Sequence, residues 1–271
     1  MEFEFKEKYN IDDYRRIIAL LRAPDGCPWD KVQTHESVRD NVIEEAYETA
    51  QAIDRADDAN LCEELGDLLM QVLFHAQMAA ERGAFNFDDV CDMACKKLVF
   101  RHPHVFGTAE ADTPDAVLDT WDAAKRREKH QETVTSAMTD VAETLPALWR
   151  ARKVQKKAAK VGFDWPDVSG AMAKLHEEVG ELQEGIDAGD RENQFEEVGD
   201  VLFTAVNAAR FLDVDPEKAL HAACEKFIRR FKYTEEHAAA EGKQLENMTL
   251  EEIETLYQHA RHDLEGKEMV L

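Results

Sequence analysis

A chain of 271 residues holds one large domain or two of ordinary size, and its 44% hydrophobic content supports a real core. Fifty-seven acidic against 33 basic residues leave a net charge of −24, which argues against nucleic acid or an anionic membrane as partner, because both are bound through Lys and Arg. Five cysteines without a C-x-x-C exclude a disulfide framework, and no apolar run has the length of a signal core or a membrane span. The expectation is a soluble cytoplasmic protein with reduced thiols, acting on a small molecule or a protein partner.

Apolar residues recur at helical period along most of the chain, and no strand pattern stands out. Ile11, Tyr14, Ile17, Ile18 and Leu21 predict a helix over 11–22 behind an Asn10 cap. The turn "APDGCPWD" follows, then a helix over 35–53, the turn "DRADDAN", and a helix to Arg82 stopped by Gly83. "FDDVCDMACKKLVFR" is helical up to Pro103, and Thr113-Pro114 opens a helix over 114–130. The polar stretch 131–144 reads as a linker between an N-terminal domain, 1–130, and a C-terminal domain, 145–271. In the second domain the helices fall over 145–160 (Gly162 as stop), 169–188 and 191–213. Asp215-Pro216 opens another, and the capping box Thr249-x-x-Glu252 opens the last.

The acidic segments come twice. "IEEAYETAQAID" at 43 is matched by "HEEVGELQEGID" at 176, and "EELGDLLMQV" at 63 by "EEVGDVLFTA" at 196. Glu45 and Glu178, Glu48 and Glu181, Glu64 and Glu197, and Asp67 and Asp200 are all 133 residues apart. Further on, Lys97 and Arg101 answer to Lys226 and Arg230 at an offset of 129, and Trp121 and Lys125 to Tyr257 and Arg261 at 136. The pattern is that of a duplicated unit with small loop changes.

Glu45 and Glu48 share a helix face, as do Glu64 and Asp67, and the spacer between the blocks suffices to turn the chain back antiparallel. Both acidic pairs then meet at one seam, and so do their counterparts in the second copy. Two carboxylates about 4 Å apart repel by roughly 4 kcal/mol at an effective dielectric of 20. Four of them call for a counter-cation, and an all-oxygen set suits Mg²⁺, with Mn²⁺ as a substitute. A solvated acidic face explains Glu44 well enough, but it gives no reason for four acids to stay in register across two copies. A di-iron site would use Glu-x-x-His, where this chain has Glu-x-x-Asp. Gly66 and Gly199, inside helices, read equally as close helix packing or as close approach to a ligand. Lys226 and Arg230 beside a magnesium site suggest a phosphate chain. Cys91, Cys95, His102 and His104 lack zinc spacing and read as a buried helix face plus a loop. "CPWD" and "GFDW" read as packing anchors, and Trp121 as core.

With "EEAYE…ELGD" and "EEVGE…EVGD", and with "GCPWDKVQTHES", "RHPHVFG" and "VGFDW", the chain resembles the MazG family of nucleoside triphosphate pyrophosphohydrolases in its tandem form, over about residues 10 to 265. The resemblance implies an all-α fold of two tandem four-helix-bundle-type units, helix-swapped or packed in a homodimer. It implies Mg²⁺-dependent hydrolysis of a nucleoside triphosphate to the monophosphate and pyrophosphate. Glu178, Glu181, Glu197 and Asp200 would hold the metal. Lys174, Glu177, Glu196, Asp200, Lys226, Arg229, Arg230, Tyr257 and Arg261 would surround the nucleotide. Glu45, Glu48, Glu64 and Asp67 complete a second motif of weak or absent activity. The first copy carries Tyr47 where the second has Gly180, and Val99-Phe100 where the second has Ile228-Arg229. Water is the expected nucleophile, since no Ser, Cys or His recurs beside the acids, with Glu177 or Glu178 as ligand or base. The alternative is a non-enzymatic acidic helical scaffold for a protein partner. A house-cleaning enzyme selective for non-standard nucleotides is a third reading.

Overall fold

The structure, a computed structural model, describes residues 3–109, 111–129, 131 and 133–268. His130 and Glu132, which fall in the expected 114–130 helix and 131–144 linker, lie outside them. The described residues form helices and no strand, and none of these helices is long and apolar enough to cross a membrane. The chain divides into two compact units, Met1–Lys125 and Arg126–Leu271.

Unit 1 contains α1 (Ile11–Arg22), α2 (Arg39–Asp54), α3 (Asp58–Glu81), α4 (Phe87–Arg101), the single turn α5 (Pro103–Phe106) and most of α6 (Pro114–Glu128). Helices α2 and α3 form its central hairpin, with α1 and α4 laid on α3. Ile18, Val38, Leu73, Phe74 and Met78 make its buried core, with Tyr14, Leu21 and Phe87 packed against them. The sequence pattern starts α2 near residue 35, yet the helix begins at Arg39. Thr34 and Ser37 exchange backbone-to-hydroxyl hydrogen bonds of 2.9 and 3.2 Å, and such local bonds compete with helix formation.

Unit 2 contains α7 (Val134–Thr139), α8 (Ala147–Ala159), α9 (Val168–Ala188), α10 (Arg191–Phe211), α11 (Pro216–Ala240) and α12 (Leu250–Glu268). Here α9 and α10 form the central hairpin, α8 lies on α10, and α11 pairs with α12. The stretch read as a linker contains α7, which packs on α8. Asp215 caps α11 by accepting from the Glu217 and Lys218 amides, and it also accepts from the Trp149 indole at 3.0 Å. One carboxylate thereby ties the α10–α11 turn to α8.

The duplication extends to backbone geometry. Each hairpin turns through a left-handed residue, Ala56 (φ 52°) in the first and Gly189 (φ 69°) in the second. Each then starts its second helix behind an aspartate cap, Asp57 or Asp190. All four lie at the 133 offset. Asn86 caps α4 and Asp215 caps α11, at the later offset of 129. Helix α3 is 24 residues long and α10 is 21. Three extra residues of helix and one of turn account for the drift from 133 to 129.

Two expectations do not hold. Cys91 and Cys95 are exposed rather than buried, because α4 buries only Arg101. Trp29 of "CPWD" is 58% exposed rather than packed at a helix corner.

A left-handed backbone costs a non-glycine residue roughly 1–2 kcal/mol, and Ala56 carries that strain where unit 2 uses glycine. Allowing for the extra freedom glycine gives the unfolded chain, Ala56→Gly is expected to stabilise the protein by up to about 1 kcal/mol, read as a higher denaturation midpoint in urea. Ala56→Val is expected to lower it.

Candidate active site

The α2–α3 and α9–α10 hairpins each bring their acids together. In unit 1 carboxylate oxygens of Glu45, Glu48 and Glu64 lie within 4.8 Å of one another, and in unit 2 those of Glu178, Glu197 and Asp200 do so. The fourth acid of each set lies close by. Burial and then Asp67 push the Glu45 carboxyl up, and the hydrogen bond that Glu181 donates to Glu178 is the largest cause of a raised Glu181. Glu64 is raised by burial and then by Glu48 and Asp67. These carboxyls resist ionisation because burial, shared hydrogen bonds and neighbouring like charges all disfavour the charged form.

The two clusters differ in their surroundings. Glu178 is buried, with 6% exposure. Lys174, one turn earlier on α9, donates to Glu177 at 2.6 Å and lies 3.1 Å from Glu178 and 3.8 Å from Glu181. Those carboxylates, Glu177 foremost, raise the Lys174 ammonium well above its ordinary value, so it stays charged. Asn41 stands at the matching position of unit 1, and there Glu45 has only a 3.5 Å contact from the Gln71 amide. Glu197 accepts from Asn193 at 3.0 Å through one oxygen, while its other oxygen, Oε2, is buried and accepts nothing. A buried, unpartnered carboxylate oxygen beside two further carboxylates is a donor set that suits a hard divalent cation.

The sequence profile of the MazG nucleotide pyrophosphohydrolase domain matches residues 33–106 and 168–234. The chain belongs to the MazG family. It is 45% identical over 245 residues to a Thermotoga maritima protein named nucleoside triphosphate pyrophosphohydrolase/pyrophosphatase MazG, covering 90% of this chain and 93% of that one. It is 43% identical over 257 residues to an Escherichia coli K12 protein named nucleoside triphosphate pyrophosphohydrolase, covering 93% of this chain and 97% of the relative. The two profile matches coincide with the two acidic hairpins.

In this MazG chain the remaining expected residues form a second group. Lys226, Arg229 and Arg230 stand on α11, and Tyr257 and Arg261 on α12. The Arg230 guanidinium lies over the Tyr257 ring at 5.8 Å, and Phe227 packs 5.6 Å from that ring. Unit 1 repeats the arrangement, with Arg101 and Lys125 at 5.2 and 5.1 Å from the Trp121 ring. Trp121 is therefore a half-buried platform for cations. Glu196 is exposed on α10. Gly66 and Gly199 would find nothing within 4 Å of an added Cβ, and Gly180 is the same. Among the described residues the close-packing reading of Gly66 and Gly199 fails.

One further feature escapes the helical pattern. A cavity of about 630 Å³ opens beside Lys174, Glu178 and Asp200 and runs along α10 past Phe203, Thr204 and Asn207. Its other walls include Gln155 of α8 and Phe163 and Trp165 of "GFDW". The signal lay in that tryptophan-bearing turn just ahead of the acidic helix.

A carboxyl raised in the folded state favours folding at low pH, and that contribution is lost as pH rises through its folded pKa. At neutral pH the clusters therefore oppose folding, and a divalent cation relieves them. Magnesium at tenfold its dissociation constant adds about 1.4 kcal/mol, so a melting temperature roughly 3–6 °C higher is expected at pH 7.5. The gain should shrink toward pH 4.5 and vanish in a Glu45→Gln/Glu178→Gln double variant. Scanning calorimetry with magnesium or EDTA measures it.

Proposed function

We propose that this chain is a divalent-metal-dependent hydrolase that converts nucleoside triphosphates to monophosphates and pyrophosphate, with its working site on the α9–α10 hairpin. The observation that carries this reading is the meeting of Glu178, Glu197 and Asp200 within 4.8 Å beside a charged Lys174 and a cavity of nucleotide size. The names of the relatives support it.

Glu178, Glu181, Glu197 and Asp200 would hold Mg²⁺, or Mn²⁺ in its place. The metal, when bound, supplies positive charge to the triphosphate oxygens and to the leaving pyrophosphate. A water attacks the α-phosphorus, its proton passes to Glu177 or Glu178, and the bond to the β-phosphate oxygen breaks. Lys174, beside Glu177 and Glu178, would donate from its ammonium to a phosphate oxygen. The α11 and α12 cations, Lys226, Arg229, Arg230 and Arg261, bind the outer phosphates, with Tyr257 close to the nucleotide and Glu196 at the rim.

A homodimer completes the assembly. Phe195, Leu202, Phe227 and Ile228 are 86%, 51%, 55% and 59% exposed, more large apolar surface on α10 and α11 than a working monomer leaves in water. The unpaired state of all five cysteines fits a reducing cytoplasm. The unit 1 cluster is the weaker or silent one, since it lacks a counterpart of Lys174. A scaffold without catalysis leaves unexplained why a largely apolar cavity opens beside the acids.

Pyrophosphate release from a panel of nucleoside triphosphates, with and without magnesium, tests the reading. Wild type is expected to require the metal. Glu178→Gln should lose on the order of 100-fold or more in turnover with its helical content intact, and Glu45→Gln should stay near wild type. Full metal-dependent turnover by Glu178→Gln would remove the assignment.

A further inference from the structure

We propose that Arg126, Lys129, Lys153 and Lys157 form an anion site on α8, apart from the acidic hairpins, and that its ligand is a small anion of the phosphate class. The site does not depend on the hydrolase reading.

Charge along the chain singles out α8. The protein carries a net charge of −24, yet from Leu145 to Phe163 there are six cations and no acid. Arg126, Arg127 and Lys129 come shortly before them, with Glu128 in between. Arg152 is already engaged, pairing with Asp213 and Asp215 at 3.6 and 3.2 Å. The side chains of Arg126, Lys153 and Lys157 make no ion pair or hydrogen bond among the described residues. In a chain so rich in carboxylates, three cations left over in one place are unusual.

Local structure gathers them, and all lie in unit 2. Lys153 and Lys157 are four apart on α8, so they share a face. Helix α7 packs on α8, and Asp140, its C-terminal cap, accepts from Lys129 at 3.0 Å. That bond holds the segment after α6 against the same region. The Gln131 amide donates to the Arg126 carbonyl oxygen at 3.0 Å, which turns the chain so that both cations stay near α8. Asp140 accepts from Gln131 as well as from Lys129, so its charge is largely taken.

Lys157 registers the crowding. It is half-buried, and burial first, then Arg126 and Lys153, with Lys129 behind them, push its ammonium below its ordinary range against the pull of Asp140. Burial and like charge both disfavour a cation. An arriving anion relieves the lysine and its neighbours together, as a divalent cation would relieve the carboxylates of the hairpins. Lysine ammoniums and an arginine fork suit the several oxygens of one phosphate group.

These cations are no part of the duplicated frame. Gly26 and Gly162 are 136 residues apart, as are Trp29 and Trp165, and at that offset Ile17 and Leu21 stand in the places of Lys153 and Lys157. Leu21 packs against the unit 1 core. Where the first copy has an apolar face, the second has lysines. The cavity takes Val154, Gln155 and Ala158 from α8, and Lys153 and Lys157 fall outside that lining. A small anion suits the patch better than a polyanion. A nucleic acid strand or an anionic membrane would also cross the acidic remainder of the surface and be repelled, whereas a small anion sits within the roughly 8 Å over which nearby charges dominate at physiological salt.

Titration calorimetry of the full chain with pyrophosphate, in EDTA so that the acidic clusters hold no metal, tests the site. Wild type should bind, and more weakly as salt rises. Lys153→Gln/Lys157→Gln should weaken binding on the order of tenfold or more, the loss expected for two charge-assisted bonds, with helical content unchanged by circular dichroism. Lys226→Gln/Arg230→Gln should leave it as in wild type. Lysine acetylation read by mass spectrometry locates the ligand on the unaltered chain, where pyrophosphate should protect Lys153 and Lys157. Absence of binding by wild type, binding kept by Lys153→Gln/Lys157→Gln, or no protection of those two lysines overturns the site. Tighter binding of a single-stranded oligothymidylate or of phosphatidylserine vesicles at the same salt, lost in the same variant, overturns the small-anion assignment in favour of a macromolecule.

Discussion

Crowded negative charge organises this molecule. Each hairpin brings four carboxylates to the seam between two helices, where burial and then neighbouring carboxylates raise Glu45 and Glu64, and a hydrogen bond to Glu178 raises Glu181. Ordinary surface glutamates would spread apart into solvent. Here the backbone prevents it, since a left-handed turn residue and an aspartate cap fix how the second helix leaves the first. Turn chemistry thus sets the electrostatics, and the electrostatics create the demand for a cation.

The halves share this frame and differ in what surrounds it. In unit 2, Lys174 lies against three of the glutamates, one oxygen of Glu197 is buried without a partner, and a cavity adjoins them. In unit 1 the corresponding α1–α3 space is filled by Ile18, Phe74 and Met78, and Arg22 lies over the Phe74 ring at 5.1 Å while pairing with Glu81 at 2.8 Å. A hydrocarbon core stabilises a unit through buried apolar area, whereas an open cavity leaves part of its apolar lining unburied and gives up that contribution. The first copy is built for stability, and the second leaves room for a ligand.

Much of this was legible from spacing alone. The 133-residue register exposed the duplication, and helical period with caps such as Asn10 and Asp215 located most helices to within a few residues. Residues that act within one hairpin are close in sequence, so period and offset carry them. The cavity was not legible, because it depends on how α8 and the "GFDW" turn meet α10, and Gln155 lies 48 residues from the Phe203 carbonyl that orients it. Nor was the exposure of Cys91, Cys95 and Trp29, because a helical period marks a face without saying what covers it. The positions of Lys226, Arg230 and Tyr257 followed from the repeat, but the repeat does not say that Arg230 lies over the Tyr257 ring.

The glycines connect these points. Gly66 and Gly199 sit mid-helix, beside the acids and in register, at a cost of about 1 kcal/mol each relative to alanine. Among the described residues a Cβ at either would meet no atom within 4 Å beyond the helix's own nearby backbone, so packing within the described chain does not account for them. Each lies one residue from its aspartate, Asp67 or Asp200, on the helix that also carries exposed apolar side chains, Leu65 and Val72 in unit 1 and Val198 and Leu202 in unit 2. A missing side chain is useful when something comes close from outside, and the two things proposed to do so are the phosphates at the acids and a second protomer on the apolar face. Gly199 borders both surfaces, which would make assembly and substrate binding depend on the same turn of α10.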